Sequence, residues 1–512
     1  MARKERTIKN SISAVVKYFI KLILQFVLRT VIIYKLGVEY VGLDSLYANI
    51  ISMLSLAELG IGSAIVFSMY KPAAENDIEK LKSLNNLYKK VYTIIAIIVL
   101  VLGLAIMPFI KYFISEEPNV SVNLYVVYAI FLANTVISYF GAHKRSLLFA
   151  FQRNDIENNI LTIATILMSI LQISALLLFK NYYLYVIFIP WFTLFDVLLY
   201  VYVAKRLYPE ITGKSQPLDK DTKREITKNI IATSCHQIGG VFVLSTDNLL
   251  ISKFFGLTVL GTISNYILIY SAIDSLIVMF INALQASVGN LIATTDKEYV
   301  HKIYKMFNWV FACIAGFCAI ALMCLYQPFM DIWIGKTEYV VSIWLVLALV
   351  SKFYLSKMRN ITNIFKNCAG LMWNDRWKPI CESIVNIIAS IIFIKLIGVE
   401  GVFVGTIIST ISVSLWVEPY VLYKNYFKRN IKEYFSKFFL YTLVTLIAGV
   451  ITFALCYLLP ATGILWFVLK VIICCIVPTG IFLLAYFKTD NFKMTLLYAK
   501  SFFKKKAKKE KV

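Results

Sequence analysis

Apolar runs of twenty or more residues alternate with short polar breaks along almost the whole chain. A helix rising 1.5 Å per residue needs about twenty apolar residues to cross roughly 30 Å of hydrocarbon. On that basis about fourteen spanning helices are predicted, over 10–34, 42–69, 90–113, 121–150, 159–179, 182–204, 229–252, 259–293, 306–331, 339–368, 379–396, 402–423, 437–459 and 463–487. No break can hold a globular domain; the longest is KRLYPEITGKSQPLDKDTKREITK at 205–228. The expected fold class is an all-α polytopic membrane protein.

A short pattern recurs between the runs. LGVEYVG (36–42) follows the first predicted span, FGLTVLG (255–261) follows the seventh, 219 residues later, and IGVEGVFVG (397–405) follows the eleventh. Equivalent positions in the span order point to duplication, and an offset of six spans preserves orientation, so the halves are expected to be parallel repeats. This divides the chain into a first lobe of helices 1–6 (1–207), a cytoplasmic linker (208–228), a second lobe of helices 7–12 (229–425), two extra helices (426–488) and a basic tail (489–512). Gly37, Gly42, Gly60, Gly62, Gly256 and Gly261 are the expected turn and hinge positions.

Composition agrees with a membrane setting. The 512 residues are 59% hydrophobic and 16% charged, with a mean hydropathy of +0.73; soluble domains carry about 25% charged residues. The same numbers exclude disorder. The net charge of +23 is not gathered on one soluble face, so nucleic acid is not an expected partner. With the N-terminus on the cytoplasmic side, 37 Lys and Arg fall in cytoplasmic breaks and 6 in outer ones. This asymmetry follows the positive-inside rule and predicts that both termini are cytoplasmic. Lys17 and Lys21 interrupt the first apolar run, which argues for a retained span over a cleaved signal peptide. The nine Cys lie in apolar segments without C-x-x-C spacing, and the three His are isolated. Neither a metal site nor a disulfide framework is expected from that spacing.

Nine basic residues remain inside spans: Lys17, Lys21, Arg29, Lys144, Arg145, Lys352, Lys357, Arg359 and Lys470. Each costs roughly 2.5–3.5 kcal/mol at a lipid-facing helix centre. Lys17 and Lys21 share one helical face with Asn10, Ser13 and Gln25, and such a stripe is expected to face a water-filled cavity. Lys352, Lys357 and Arg359 form a similar group on the tenth span. The acids counted in spans are Glu58, Asp196, Asp247 and Asp274; Glu58, Asp247 and Asp274 are the expected charge-pairing or ion-coupling groups, with Glu58 and Asp247 as partners or tuners of those cations. The cation excess favours an anionic substrate. Asp375, Arg376, Lys378 and Glu382 surround a cytoplasmic turn and are expected to form a gate or a salt-bridge knot. No zincin, phosphate-loop or nucleophile-elbow motif is present, so no enzyme activity and no cofactor are expected.

Several stretches resemble the polysaccharide transporter family of bacterial flippases for lipid-linked O-antigen and capsule repeat units. They are RTVIIYKLGVEYVGL (29–43), LSLAELGIGSA (54–64), YKPAAENDIEK (70–80), STDNLLISKFFG (245–256) with SNY (264–266), and AGLMWNDRWKP (369–379) with Glu382 and Asn386. The superfamily also holds multidrug antiporters and lipid II flippases. The resemblance implies two lobes around a cationic cavity and a substrate of oligosaccharide on undecaprenyl diphosphate, moved from the inner to the outer leaflet of the bacterial plasma membrane. Lys17, Lys21 and Arg29 of the first lobe and Lys357 and Arg359 of the second would meet diphosphate or acidic sugar. Membrane lipids and the polysaccharide polymerase machinery are the implied partners. A lipid II flippase and a cation-coupled multidrug antiporter are the alternatives within the fold; a membrane glycosyltransferase would need a larger loop than any present.

Overall fold

The computed structural model describes residues 3–115, 117–211, 213 and 215–498, with the side chains of 3–8 and of several residues between 221 and 244 excepted. The end of the basic tail, 499–512, and the side chains of Cys235 and His236 lie outside the described residues. The described chain is helical, with no strand.

The helices are α1 (Arg3–Lys35), α2 (Val38–Leu54), α3 (Ile61–Glu75), α4 (Ile78–Ile106), α5 (Leu124–Ala150), α6 (Asn154–Ser174), α7 (Tyr182–Leu207) and α8 (Lys220–Thr294). They continue with α9 (Lys297–Trp333), α10 (Ile343–Met358), α11 (Asn360–Cys368), α12 (Lys378–Ile397), α13 (Glu400–Ser409), α14 (Leu415–Leu422), α15 (Lys432–Tyr457) and α16 (Ile464–Tyr486). Several starts are set by short polar side chains that accept a bond from otherwise unsatisfied first-turn N–H groups. Asp77 accepts from Lys80 N, Asn181 from Leu184 N, Asp296 from Tyr299 N and Ser342 from Leu345 N.

Eleven of the described helices are long and apolar enough to cross a membrane, or twelve when the bent pair Val38–Glu58 and Ile61–Glu75 counts as one span. This differs from the predicted fourteen for local reasons. Left-handed backbone at Leu59 and Gly60 bends the second predicted span by 50°. The seventh and eighth predicted spans, 229–252 and 259–293, follow one another in α8 and are separated by non-helical backbone at Gly256. Its φ of 81° is accessible to glycine and strained for other residues. The predicted span 339–368 is divided at Arg359 into α10 and α11.

The chain divides into two compact units, Met1–Ser264 and Asn265–Val512. In the first unit α5 packs on α4 and α7, and α1 on α6. In the second, α12 packs on α13 and α9 on α10, α15 and α16. Large apolar side chains stay exposed along the spans, Trp191 at 69%, Val450 at 69% and Leu484 at 76% among them. Water would not tolerate so continuous an apolar exterior; lipid does.

Candidate functional site

Within the first unit the bend after α2 places Glu58 beside the aromatic face of α4. Tyr92 donates its hydroxyl proton to Glu58 Oε1, and Tyr88 stacks on Tyr92 with ring centroids 4.4 Å apart. Gly62, in the first turn of α3, makes this approach possible, since a Cβ there would sit 2.0 Å from Tyr92 Oη and 2.9 Å from Glu58 Oε1. The expectation of a cationic partner for Glu58 is therefore corrected: its described partner is a phenol, because the α3 turn points the carboxylate at α4.

Glu58, Tyr88 and Tyr92 form one wall of a cavity of about 580 Å³. Arg145 of α5 and Asp196 and Tyr200 of α7 form another. Arg145 Nε donates to Glu157 Oε1 at 2.8 Å; Glu157 is 3% exposed. Asp196 Oδ1 and Tyr200 Oη are buried without a hydrogen-bond partner, an arrangement that leaves polar groups available to a guest. The cavity thus combines two carboxylates, one guanidinium and aromatic faces, a surface suited to a polar, ring-containing or ionic ligand.

A second polar cluster of this unit joins α2 and α7. Tyr182 and Tyr185 donate to the two oxygens of Asp44 at 2.6 and 3.2 Å. Arg29 of α1 lies within electrostatic reach of Asp44 and Tyr185, and its Nη1 is buried with no hydrogen-bond partner.

The polar stripe on α1 divides along its length. Asn10 Nδ2 donates to Gln152 O at 3.0 Å, Asn10 Oδ1 accepts from Asp155 N at 2.8 Å, and Ser13 Oγ accepts from Asn158 Nδ2 at 3.1 Å. The start of the stripe therefore docks α1 onto α6, which corrects the expectation that all of it faces water. Lys17, half-buried, lies within electrostatic reach of Glu157 and Arg145, while Lys21 and Gln25 are exposed. Asp247 is buried in α8, two turns before the Gly256 break. Gly37 and Gly60 both have positive φ, at the α1–α2 and α2–α3 junctions.

In the second unit the predicted cations converge on carboxylates. Arg359 grips Glu418 with both arms of its fork, Nε to Oε2 at 2.9 Å and Nη2 to Oε1 at 2.5 Å. Its Nη1 reaches Glu382 Oε1 at 3.5 Å, and Lys378 Nζ donates to Glu418 Oε1 at 2.5 Å. Lys366 pairs with Asp375 one step further along, both side chains nearly inaccessible. Lys357 pairs with Asp274. Arg376 points away from this cluster, with its guanidinium 4.3 Å from the Trp373 ring centroid and a bond to Trp373 O at 2.9 Å.

Three cations (Arg359, Lys366, Lys378) thus face three anions (Glu382, Glu418, Asp375), and their charges cancel. Lys357 and Arg359, expected to meet an anionic substrate, are each met by a carboxylate of this chain: Asp274 pairs with Lys357, and the helix carrying Glu418 packs its carboxylate, 0% exposed, against Arg359. Glu418 is absent from the acids counted in spans, although it stands inside the predicted helix 402–423; a lone acid before Pro419 in an apolar run was the available signal. Glu157, Asp44 and the tyrosines at 88, 92, 182 and 185 were also missed, since their roles depend on partners from other helices.

The fold and the polar interior define a multi-pass membrane protein of transporter architecture. The chain belongs to the family described as polysaccharide biosynthesis protein, whose sequence profile matches residues 7–285. It is similar in fold to the lipid II flippase MurJ in its inward closed conformation, with a TM-score of 0.65, 14% identity, and 94% of this chain and 99% of that one covered. It is also similar to an inward-facing multidrug resistance MATE family transporter of the MOP superfamily, with a TM-score of 0.60, 16% identity, and 80% and 98% covered. A point mutant of the Vibrio cholerae MATE transporter VcmN aligns with a TM-score of 0.58, 12% identity, and 84% and 98% covered. No curated protein matches the chain by sequence.

Proposed function

We propose that this protein is a flippase, without catalytic chemistry of its own, that moves undecaprenyl-diphosphate-linked oligosaccharide repeat units from the inner to the outer leaflet of the bacterial plasma membrane by alternating access, for capsule or other surface polysaccharide. Membership of the polysaccharide biosynthesis family carries this reading. The mixed polar and aromatic cavity of the first unit supports it, because tyrosine rings and paired charges suit sugars. Lys21, exposed on α1, and Arg29, with an unpartnered Nη1, are the proposed anion contacts, with Lys17 one turn before Lys21. Glu58 and Asp196 are the proposed coupling carboxylates. The Arg359–Glu418–Lys378 and Lys366–Asp375 pairs act as a gate that opens by exchanging partners. An anion moving outward across an inside-negative membrane gains roughly 2.3 kcal/mol per charge per 100 mV, so voltage can contribute to driving it.

A lipid II flippase is the second reading, favoured by the near-complete alignment with MurJ. Deletion of the gene followed by analysis of lipid-linked intermediates separates the two. Completed repeat units held on the cytoplasmic side support the first reading. Build-up of lipid II selects the second, and drug sensitivity alone selects a multidrug antiporter.

A further inference from the structure

Cys324 of α9, Cys456 of α15 and Cys474 of α16 meet in the interior of the second unit. Their sulfurs all lie within 4.8 Å of one another, with Cys456 and Cys474 Sγ 4.0 Å apart. The three residues are 5%, 4% and 1% exposed. No other described residues form such a cluster of metal-ligating side chains. Chain spacing concealed it, since Cys324 and Cys456 are 132 residues apart.

The geometry suits coordination. A zinc–thiolate bond of about 2.3 Å places three trigonal sulfurs about 4.0 Å apart. The three sulfurs, each from a different helix, already lie near that spacing, so a central ion would need little rearrangement of the backbone. The charge favours a divalent ion. Three thiolates and a divalent ion leave one negative charge, costly in an apolar interior. Lys470, one turn before Cys474 on α16 and 5% exposed, lies within electrostatic reach of both Cys456 and Asp331 of α9, so its charge offsets the site in part. A monovalent ion would leave one negative charge more than a divalent one, and hard cations prefer oxygen ligands.

We propose that Cys324, Cys456 and Cys474 form a three-thiolate site for a thiophilic divalent cation of the zinc and cadmium class, with Lys470 offsetting part of its charge. Binding releases the proton of each thiol that becomes a ligand. The bound ion ties α9 to the hairpin of α15 and α16, a cross-link distinct from the polar groups assigned to transport.

Cadmium is the probe. The purified full-length protein, reduced with a phosphine, is loaded with cadmium chloride and desalted. The wild type is expected to retain about one cadmium per chain, with an ultraviolet thiolate-to-cadmium band and three sulfurs around the metal by X-ray absorption. C324S, C456S and C474S should each weaken retention at least tenfold, K470M should weaken it less, and C313S and C475S should leave it unchanged. Zinc should raise the thermal midpoint of the wild type and not of C474S. The proposal is overturned if the wild type retains no cadmium, if fewer than three sulfurs surround it, if the band survives in C324S/C456S/C474S, or if C313S and C475S lower it equally. Because the sulfur count is made on the wild type, a variant that fails to fold does not remove the test.

Discussion

Ser45 Oγ and Ser264 Oγ lie 2.8 Å apart, 219 residues distant in sequence. The same offset separates Thr258 Oγ1 from the Glu39 Oε1 that accepts its bond at 3.0 Å, and it separates Gly42 from Gly261. A residue in one copy of the repeated pattern therefore meets its own counterpart in the other, as across a two-fold axis. The two backbones approach closely: a Cβ on Gly42 would fall 2.1 Å from Leu257 O, and one on Gly261 2.2 Å from Val38 O.

Gly42→Ala and Gly261→Ala should each destabilise the protein by about 1–3 kcal/mol or more, because the added methyl meets main-chain oxygen that has no rotamer to change. Ser45→Ala, which removes one hydrogen bond near the same crossing, should cost only about 1 kcal/mol. Thermal unfolding of the purified variants ranks them. Equal midpoints for G42A and S45A would show that the crossing is looser than described.

Glu418→Gln should be among the most damaging single changes in the second unit. It leaves Arg359 and Lys378 buried against a neutral amide, a loss of about 3–5 kcal/mol for a broken buried pair. The double variant Arg359→Met with Glu418→Met should recover part of that loss, since it removes the Arg359 charge as well and leaves only Lys378 without its carboxylate. A double-mutant cycle on detergent-solubilised protein measures the coupling; additive effects would count against the bidentate pair.

Charge reversal separates the proposed contact from the gate. Lys21→Glu is expected to accumulate in the membrane at wild-type level while abolishing surface polysaccharide. Arg359→Glu, which sets a third acid beside Glu418 and Glu382, is expected to lower accumulation of the protein itself. Blotting of membranes alongside polysaccharide staining reads both, and normal polymer in K21E removes Lys21 from the substrate path.

Tyr92→Phe deletes the donor to Glu58 and keeps the stacked ring. Its effect on stability should be about 1.5–3 kcal/mol, the range for a hydrogen bond to a charged group, with a several-fold fall in translocation when Glu58 is a coupling group. Counting repeat units delivered across reconstituted vesicles, normalised to folded protein, checks this. Full translocation by Y92F and E58Q together would reassign the cavity to packing.

The sequence by itself determined the membrane setting, the helical class, the repeated glycine pattern and most span positions. Each of these rests on local information: whether twenty consecutive side chains prefer hydrocarbon, which breaks hold the cations, where glycine permits a reversal. Hydropathy does not report where an apolar run bends, as the second predicted span does at Leu59 and Gly60. Partnership was decided by the tertiary structure alone. Arg359 and Glu418 are 59 residues apart, Glu58 and Tyr92 are 34 apart, and the three sulfurs come from three helices. The energy of a buried charge or thiol depends on what packing brings within about 4 Å of it, and that neighbour is set by the crossing of helices, which no stretch of sequence encodes on its own.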